Sequence, residues 1–215
     1  MNIISNVLSS ALNYFFNITG DIGISIILLT IAVRLLLIPL SIKQKLGMQE
    51  QQEISKGLEE IKKKYKNNKQ KLELETQKYY KENAKGMLGC FTTILQLPII
   101  FTLYNVILRM PIQAGTILLP WVASVKMADS YFIVPAIYVL SMLSPNMLAY
   151  VPFLRVSAQA KISRTNIIIT AAMSVLITLK TPVALGLYLI TTSIFSFMEE
   201  LFFRLYIKRR AAAFN

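Results

Sequence analysis

The residue in the most unusual setting is Arg34, the one charge in T-I-A-V-R-L-L-L-I-P-L at residues 30–40. If that run crosses a bilayer, its cation costs at least about 2.5–3.5 kcal/mol and must face protein or water, not lipid. Counted along helices from the same side, Gln96, Asn146 and Ser196 fall in the same half of the membrane as Arg34, whereas Asn105 falls near the other side. Thr30 lies one turn from Arg34, and Thr92 one turn from Gln96. No Asp or Glu stands at the depth of Arg34, because Glu199 and Glu200 lie nearer the surface. Such polar faces, turned together, would form a wet pocket whose fixed positive charge receives a negative group from outside the fold. The competing reading is that Arg34 snorkels along its stem to the headgroups, with Gln96, Thr92 and Thr191-Thr192-Ser193 serving as hydrogen-bond glue between helices.

Counts exclude other chemistry. The 215 residues hold no histidine, which removes triads, imidazole bases and His-ligated metal sites. The one cysteine, Cys90, permits no intrachain disulfide and no thiolate metal site, and reads as a small packing residue. Neither G-x-x-x-x-G-K-[ST] nor G-x-G-x-x-G occurs. No metal and no cofactor is expected, and the chain does not read as an enzyme.

The elements that must hold these residues follow from hydropathy. Hydrophobic residues make up 54% and charged residues 16%, where a soluble domain carries about a quarter charged. An integral membrane protein is expected, with spans at 21–41, 87–109, 131–150, 166–180 and 182–204. The fourth has an apolar stretch of only 14 residues, short for a hydrocarbon core of about 30 Å. In residues 1–20, Ile3, Ile4, Val7, Leu8, Ala11, Leu12, Phe15 and Phe16 form a helical stripe opposite Asn and Ser, which suits a helix lying in the outer interface. Residues 42–86 carry twelve Lys and seven Glu, and Ile54, Leu58, Ile61 and Tyr65 repeat at coiled-coil spacing. With a turn at Asn67-Asn68 and a return over 72–79, this segment reads as a solvated helical hairpin. Its basic charge would also favour anionic lipid or ribosomal RNA.

Charge sets the orientation. Nineteen Lys and Arg fall in residues 42–86, the 151–165 loop and the 205–215 tail with Arg204, against three (Arg109, Lys126, Lys180) on the other side. The positive-inside rule then places the N-terminus outside, the 110–130 loop outside with Trp121 as an interface anchor, and the C-terminus in the cytoplasm of a plasma-membrane protein. The expected fold class is an all-α membrane protein of five transmembrane helices, with a cytoplasmic helical hairpin and an N-terminal interfacial amphipathic helix.

Nearly the whole chain resembles the YidC/Oxa/Alb membrane protein insertases, in their five-span form. The resemblance rests on residues 30–40 with Arg34, on G-C-F-T-T-I-L-Q-L-P-I at 89–99 after the charged hairpin, and on T-P-V-A-L-G-L-Y-L-I-T-T-S-I-F-S at 181–196. It implies an insertase that passes small hydrophobic clients with short translocated tails into the lipid bilayer. In the family the arginine sits in a hydrophilic groove and transiently holds an acidic group of the client's tail. Thr30 and Tyr188 correspond to positions lining the client path, and Gln96, Thr92, Ser196 and Asn146 complete the candidate groove. Leu189 stands where the family has a second aromatic, and Met198-Glu199-Glu200 where it has glutamines. Sec translocon and ribosome are the implied partners, the ribosome through the hairpin and the 151–165 loop because the tail is short. Action as a monomer is expected. The alternative class is a small-molecule or anion transporter that uses Arg34 as its binding site; the absence of detectable internal repeats speaks against it.

Overall fold

The computed structural model describes residues 2–83, 101–102, 104–107, 115–148 and 164–213, and every named element among them is a helix. They are α1 (Asn2–Thr19), α2 (Ile22–Leu36), α3 (Ile38–Lys64), α4 (Lys69–Glu82), α5 (Ile133–Met147), α6 (Arg164–Thr178) and α7 (Val183–Ala213). Residues 101–102 and 104–107 are also helical. Two compact units divide the chain, one of residues 1–37, 99–156 and 161–215, the other of 38–98 and 157–160.

In the first unit α7 is central. It packs against α2 and α5, α2 in turn against α1, and α5 against α6. The buried apolar core joins Leu8 and Leu12 of α1, Ile22, Ile26 and Leu29 of α2, Val134 and Tyr138 of α5, and Val183–Leu189 of α7, with Leu119, Val122 and Val125 from the 115–132 loop. These residues come from the N-terminal halves of α2, α5 and α7. The core is therefore concentrated at one end, where the loop closes over the three helix starts.

Helix α1 divides its apolar stripe. Leu8 and Leu12 are buried, whereas Ile3, Val7, Tyr14 and Ile18 are exposed, all four falling within about 60° on a helical wheel. The Asn and Ser residues occupy the opposite side.

In the second unit α3 and α4 are in contact across the turn at residues 65–67, and Asn68 caps α4 by accepting a hydrogen bond from the Lys71 N–H at 3.1 Å. Ile54 and Leu58 are buried and Leu74 is exposed, so the apolar seam lies along one side of a charged pair of helices.

Three features add to the sequence expectation. The run expected as one span at 21–41 is interrupted at Leu37, between α2 and α3. Pro39 accounts for the break: it has no N–H to bond the carbonyl one turn back, and its ring crowds that carbonyl. The basic residues expected as a tail from 205 continue α7, which runs without interruption to Ala213. Arg204, at the expected end of the fifth span, is buried, and its Nε donates to Glu200 Oε1 at 2.8 Å.

One described helix, over Val183–Tyr206, is long and apolar enough to cross a membrane, and Ile22–Leu36 with Ile38–Gly47 pass the same test taken as a pair. Ile133–Pro145 and Ile167–Thr178 are apolar but shorter. Most of the segment expected as the second span, 87–109, lies outside the described residues.

Candidate functional site

The N-termini of α2, α5 and α7 all meet the 115–132 loop, and each has donors that no intrahelical carbonyl can satisfy. Asp21 caps α2: its Oδ1 accepts from the Ile24 N–H at 2.9 Å and from the Thr116 hydroxyl at 2.7 Å, while Oδ2 accepts from the Ile117 N–H at 2.7 Å. Asp129 does the same for α5. Its Oδ2 accepts from the Val134 N–H at 2.7 Å, and its Oδ1 from the Tyr131 N–H at 3.0 Å and the Trp121 indole at 3.1 Å. For α7 the loop supplies backbone: the Val183 and Ala184 N–H groups donate to the carbonyls of Met127 and Val125 at 2.8 and 2.9 Å.

Two glycines allow this closeness, because a Cβ on Gly23 would strike the Thr116 side chain and one on Gly186 would strike Val134. Phe132 takes a positive φ of 57° directly before α5, a conformation costly for an aromatic residue. The hydrogen bonds of Asp129 on either side of it hold the backbone there. Burial raises the Asp129 pKa, but the Val134, Tyr131, Trp121 and Ile133 donors outweigh it and leave the carboxyl below its ordinary value. At this end the helix-start N–H groups of Ile24, Val134, Val183 and Ala184 are satisfied by the capping carboxylates and the loop carbonyls.

The far halves of α2 and α7 differ. Both helices run away from the same cap, so depth can be counted from Ile22 and Val183 at 1.5 Å per residue. Thr30 and Thr192 fall about 12 and 13 Å from the cap, and Arg34 and Ser196 about 18 and 20 Å. Thr30 is buried at 2% exposure, and its hydroxyl donates to the carbonyl of Ile26 at 2.6 Å. Tyr188 and Thr192 are buried as well, whereas Arg34 and Ser196 are half-buried. On both helices the polar face therefore passes from buried to accessible with distance from the cap.

Arg34 occupies the last turn of α2, where free carbonyls and the negative end of the helix dipole favour a cation by about 0.3–1 kcal/mol. The break at Leu37 creates that helix end, so the position of Arg34 in a helix terminus was not visible in a continuous span. No hydrogen bond or ion pair of its guanidinium is found among the described residues. Glu200 bonds Arg204 instead.

Of the seven residues singled out from sequence, Arg34 and Thr30 lie together on α2, and Tyr188 and Ser196 on α7, which packs against it. Asn146 is in the last turn of α5, with its side chain outside the described residues. Gln96 and Thr92 also lie outside the described residues, as do Cys90 and Pro98. Sequence reasoning missed Asp21 and Asp129. An Asp just before an apolar helix is a recognisable cap signal, but the partners of Asp21 at Thr116 and Ile117 are some 95 residues away along the chain. Trp121, expected as an interface anchor, is exposed and also donates to Asp129.

Among the described residues the named elements are all helices, one of them, or two with the bent pair, long and apolar enough to cross a membrane. The model of the family described as 60Kd inner membrane protein matches residues 14–210, and the chain belongs to that family, the YidC/Oxa family that its motifs implied. A protein of Wolinella succinogenes named membrane protein insertase YidC is 32% identical over 205 residues, covering 94% of this chain and 37% of that protein. A protein of the same name from Fusobacterium nucleatum is 31% identical over 208 residues, covering 94% of this chain and 97% of its own length. One from Caldanaerobacter subterraneus is 29% identical over 204 residues, covering 94% and 95%. The chain thus spans little more than a third of the Wolinella relative and nearly all of the other two.

Proposed function

We propose that the chain is a membrane protein insertase, which moves small hydrophobic proteins with short translocated tails from the cytoplasm into the bilayer. Its relatives of matching length carry that name. The observation that carries the mechanism is Arg34: a half-buried cation at the end of α2, without a partner among the described residues, on a helix that packs against α7.

Such a cation lowers the barrier for an acidic tail by pairing with it inside the membrane, in surroundings where charge-assisted hydrogen bonds are stronger than in water. The polar groove would be lined by Thr30, Arg34, Tyr188 and Ser196, joined by Gln96, Thr92 and Asn146 on the strength of the motif resemblance. It opens toward the cytoplasm and is closed by the 115–132 loop, which lies outside together with the N-terminus. No covalent step is involved. Five spans, the interfacial placement of α1, a cytoplasmic hairpin of α3 and α4, contacts with the Sec translocon and the ribosome, and action as a monomer belong to the same reading.

The test is insertion of a single-span client with an acidic N-terminal tail into liposomes, scored by protease-protected fragments, with and without the protein. Protection that requires the protein supports the function. Protection equal in empty liposomes contradicts it, and protein-dependent solute flux without protection would make the chain a transporter.

A further inference from the structure

Thr192 is the one buried side-chain polar group without any hydrogen-bond partner among the described residues. Its residue is 7% exposed. The usual remedy for a helical hydroxyl is a bond to the carbonyl one turn back, and this chain uses it repeatedly. Ser25 bonds Asp21, Thr30 bonds Ile26, Ser174 bonds Thr170, Thr178 bonds Ser174, and the adjacent Thr191 bonds Leu187, at 2.6–2.8 Å. The corresponding carbonyl for Thr192 is that of Tyr188, and the bond is not made. A buried hydroxyl without a partner costs stability, and in a native fold it calls for an explanation.

Position supplies one. Thr192 follows Tyr188 by one turn and precedes Ser196 by one turn, so the three share a face of α7. It lies at nearly the same depth below the cap as Thr30 on the neighbouring α2, one turn nearer the cap than Arg34. A hydroxyl both donates and accepts. It can therefore take a peptide carbonyl or a peptide N–H in turn, whatever side chains the passing segment carries. A cation such as Arg34 can pair only with an acceptor.

We propose that the Thr192 hydroxyl is a binding group for the polypeptide backbone of the client at the inner limit of the groove, with Arg34 serving the charge of the tail. This rests on the insertase reading above. It divides recognition into a charge-dependent group and a sequence-independent one, at two levels about 4.5 Å apart along the helices.

The test compares Thr192→Val, which keeps the shape and removes the hydroxyl, with Thr192→Ser, which keeps the hydroxyl. Melting in detergent and insertion into liposomes are measured for two clients, one with an acidic tail and one with a neutral tail. Thr192→Val is expected to raise the melting temperature, since it removes an unsatisfied buried group, and yet to slow both clients about threefold or more. Thr192→Ser should restore both rates, and Arg34→Ala should slow only the acidic-tailed client. Higher melting with unchanged insertion overturns the proposal, leaving an idle hydroxyl. Lower melting with insertion reduced only in proportion to folded protein also overturns it, because the hydroxyl is then structurally bonded. A wild-type protein that inserts neither client fails the insertase reading itself, and this proposal with it.

Discussion

The two ends of the α2–α7 pair treat their polar groups in opposite ways. At the cap, two carboxylates and two loop carbonyls satisfy the donors of three helix starts, and the apolar core gathers beneath them. About 12–20 Å further along the same helices, a hydroxyl is buried without a partner and a cation stands without one among the described residues. A fold whose described capping carboxylates are bonded at one end, and which leaves Thr192 and Arg34 without partners among the described residues at the other, can be tight and receptive at once. The cap supplies the stability, and the far half can then hold groups whose partners arrive only with a client.

The comparison can be broken most forcefully at Asp129. Asp129→Ala strands the N–H groups of Tyr131 and Val134 and the Trp121 indole, and should cost on the order of 3 kcal/mol. The cost would be read as a fall in the detergent melting temperature, while the protein that remains folded keeps Arg34-dependent insertion. If melting is unchanged, the cap is not what stabilises this end.

Arg34→Ala should do the reverse. Melting should hold or rise, because no partner is lost, while insertion of an acidic-tailed client falls roughly tenfold, about 1.4 kcal/mol in the barrier. Arg34→Lys tests geometry against charge: full activity would mean that charge alone suffices.

Gly23→Ala sharpens the claim that close approach matters, since its methyl meets Thr116; a loss of about 1–2 kcal/mol in melting stability is expected. Acid should act on the same end. A carboxyl whose folded pKa lies below its unfolded value stabilises the fold fully above the unfolded value and loses that contribution as pH falls through the folded one. With Asp129 depressed, melting should therefore decline below about pH 4, and less steeply in Asp129→Asn. The smallest effect is expected at Ile18, which is 65% exposed. Ile18→Asn should leave detergent stability within about 0.5 kcal/mol and reduce only the association of α1 with lipid.

The difference between the two ends also explains what the sequence disclosed. Arg34 was conspicuous because a charge in an apolar run is costly wherever the run folds; Thr30 and Ser196 follow from helical spacing, and Tyr188 from the motif resemblance. The α1 and α3–α4 helices were legible from their 3.6-residue patterns. The break at Leu37 lies beside Pro39, a helix-breaking residue in a run whose apolar length reads as one continuous span. The cap was illegible for a different reason. The partners of Asp21 at Thr116 and Ile117 are set by tertiary packing across a long stretch of chain, and those of Asp129 by the fold of the loop onto Trp121. The burial of Arg204 against Glu200 was illegible for a similar cause, because only packing shows it.

The most direct test of closure at one end and access at the other uses single thiols in a Cys90→Ser background. Ser196→Cys and Val125→Cys proteins in sealed, oriented vesicles would be exposed to a membrane-impermeant maleimide from either side. The account requires Ser196→Cys to react from the cytoplasmic side only, and Val125→Cys, buried at 1% exposure, to stay unreactive from both sides until Asp129→Ala is added. Equal reaction of Ser196→Cys from the outside, or rapid reaction of Val125→Cys in the otherwise unaltered protein, would contradict it.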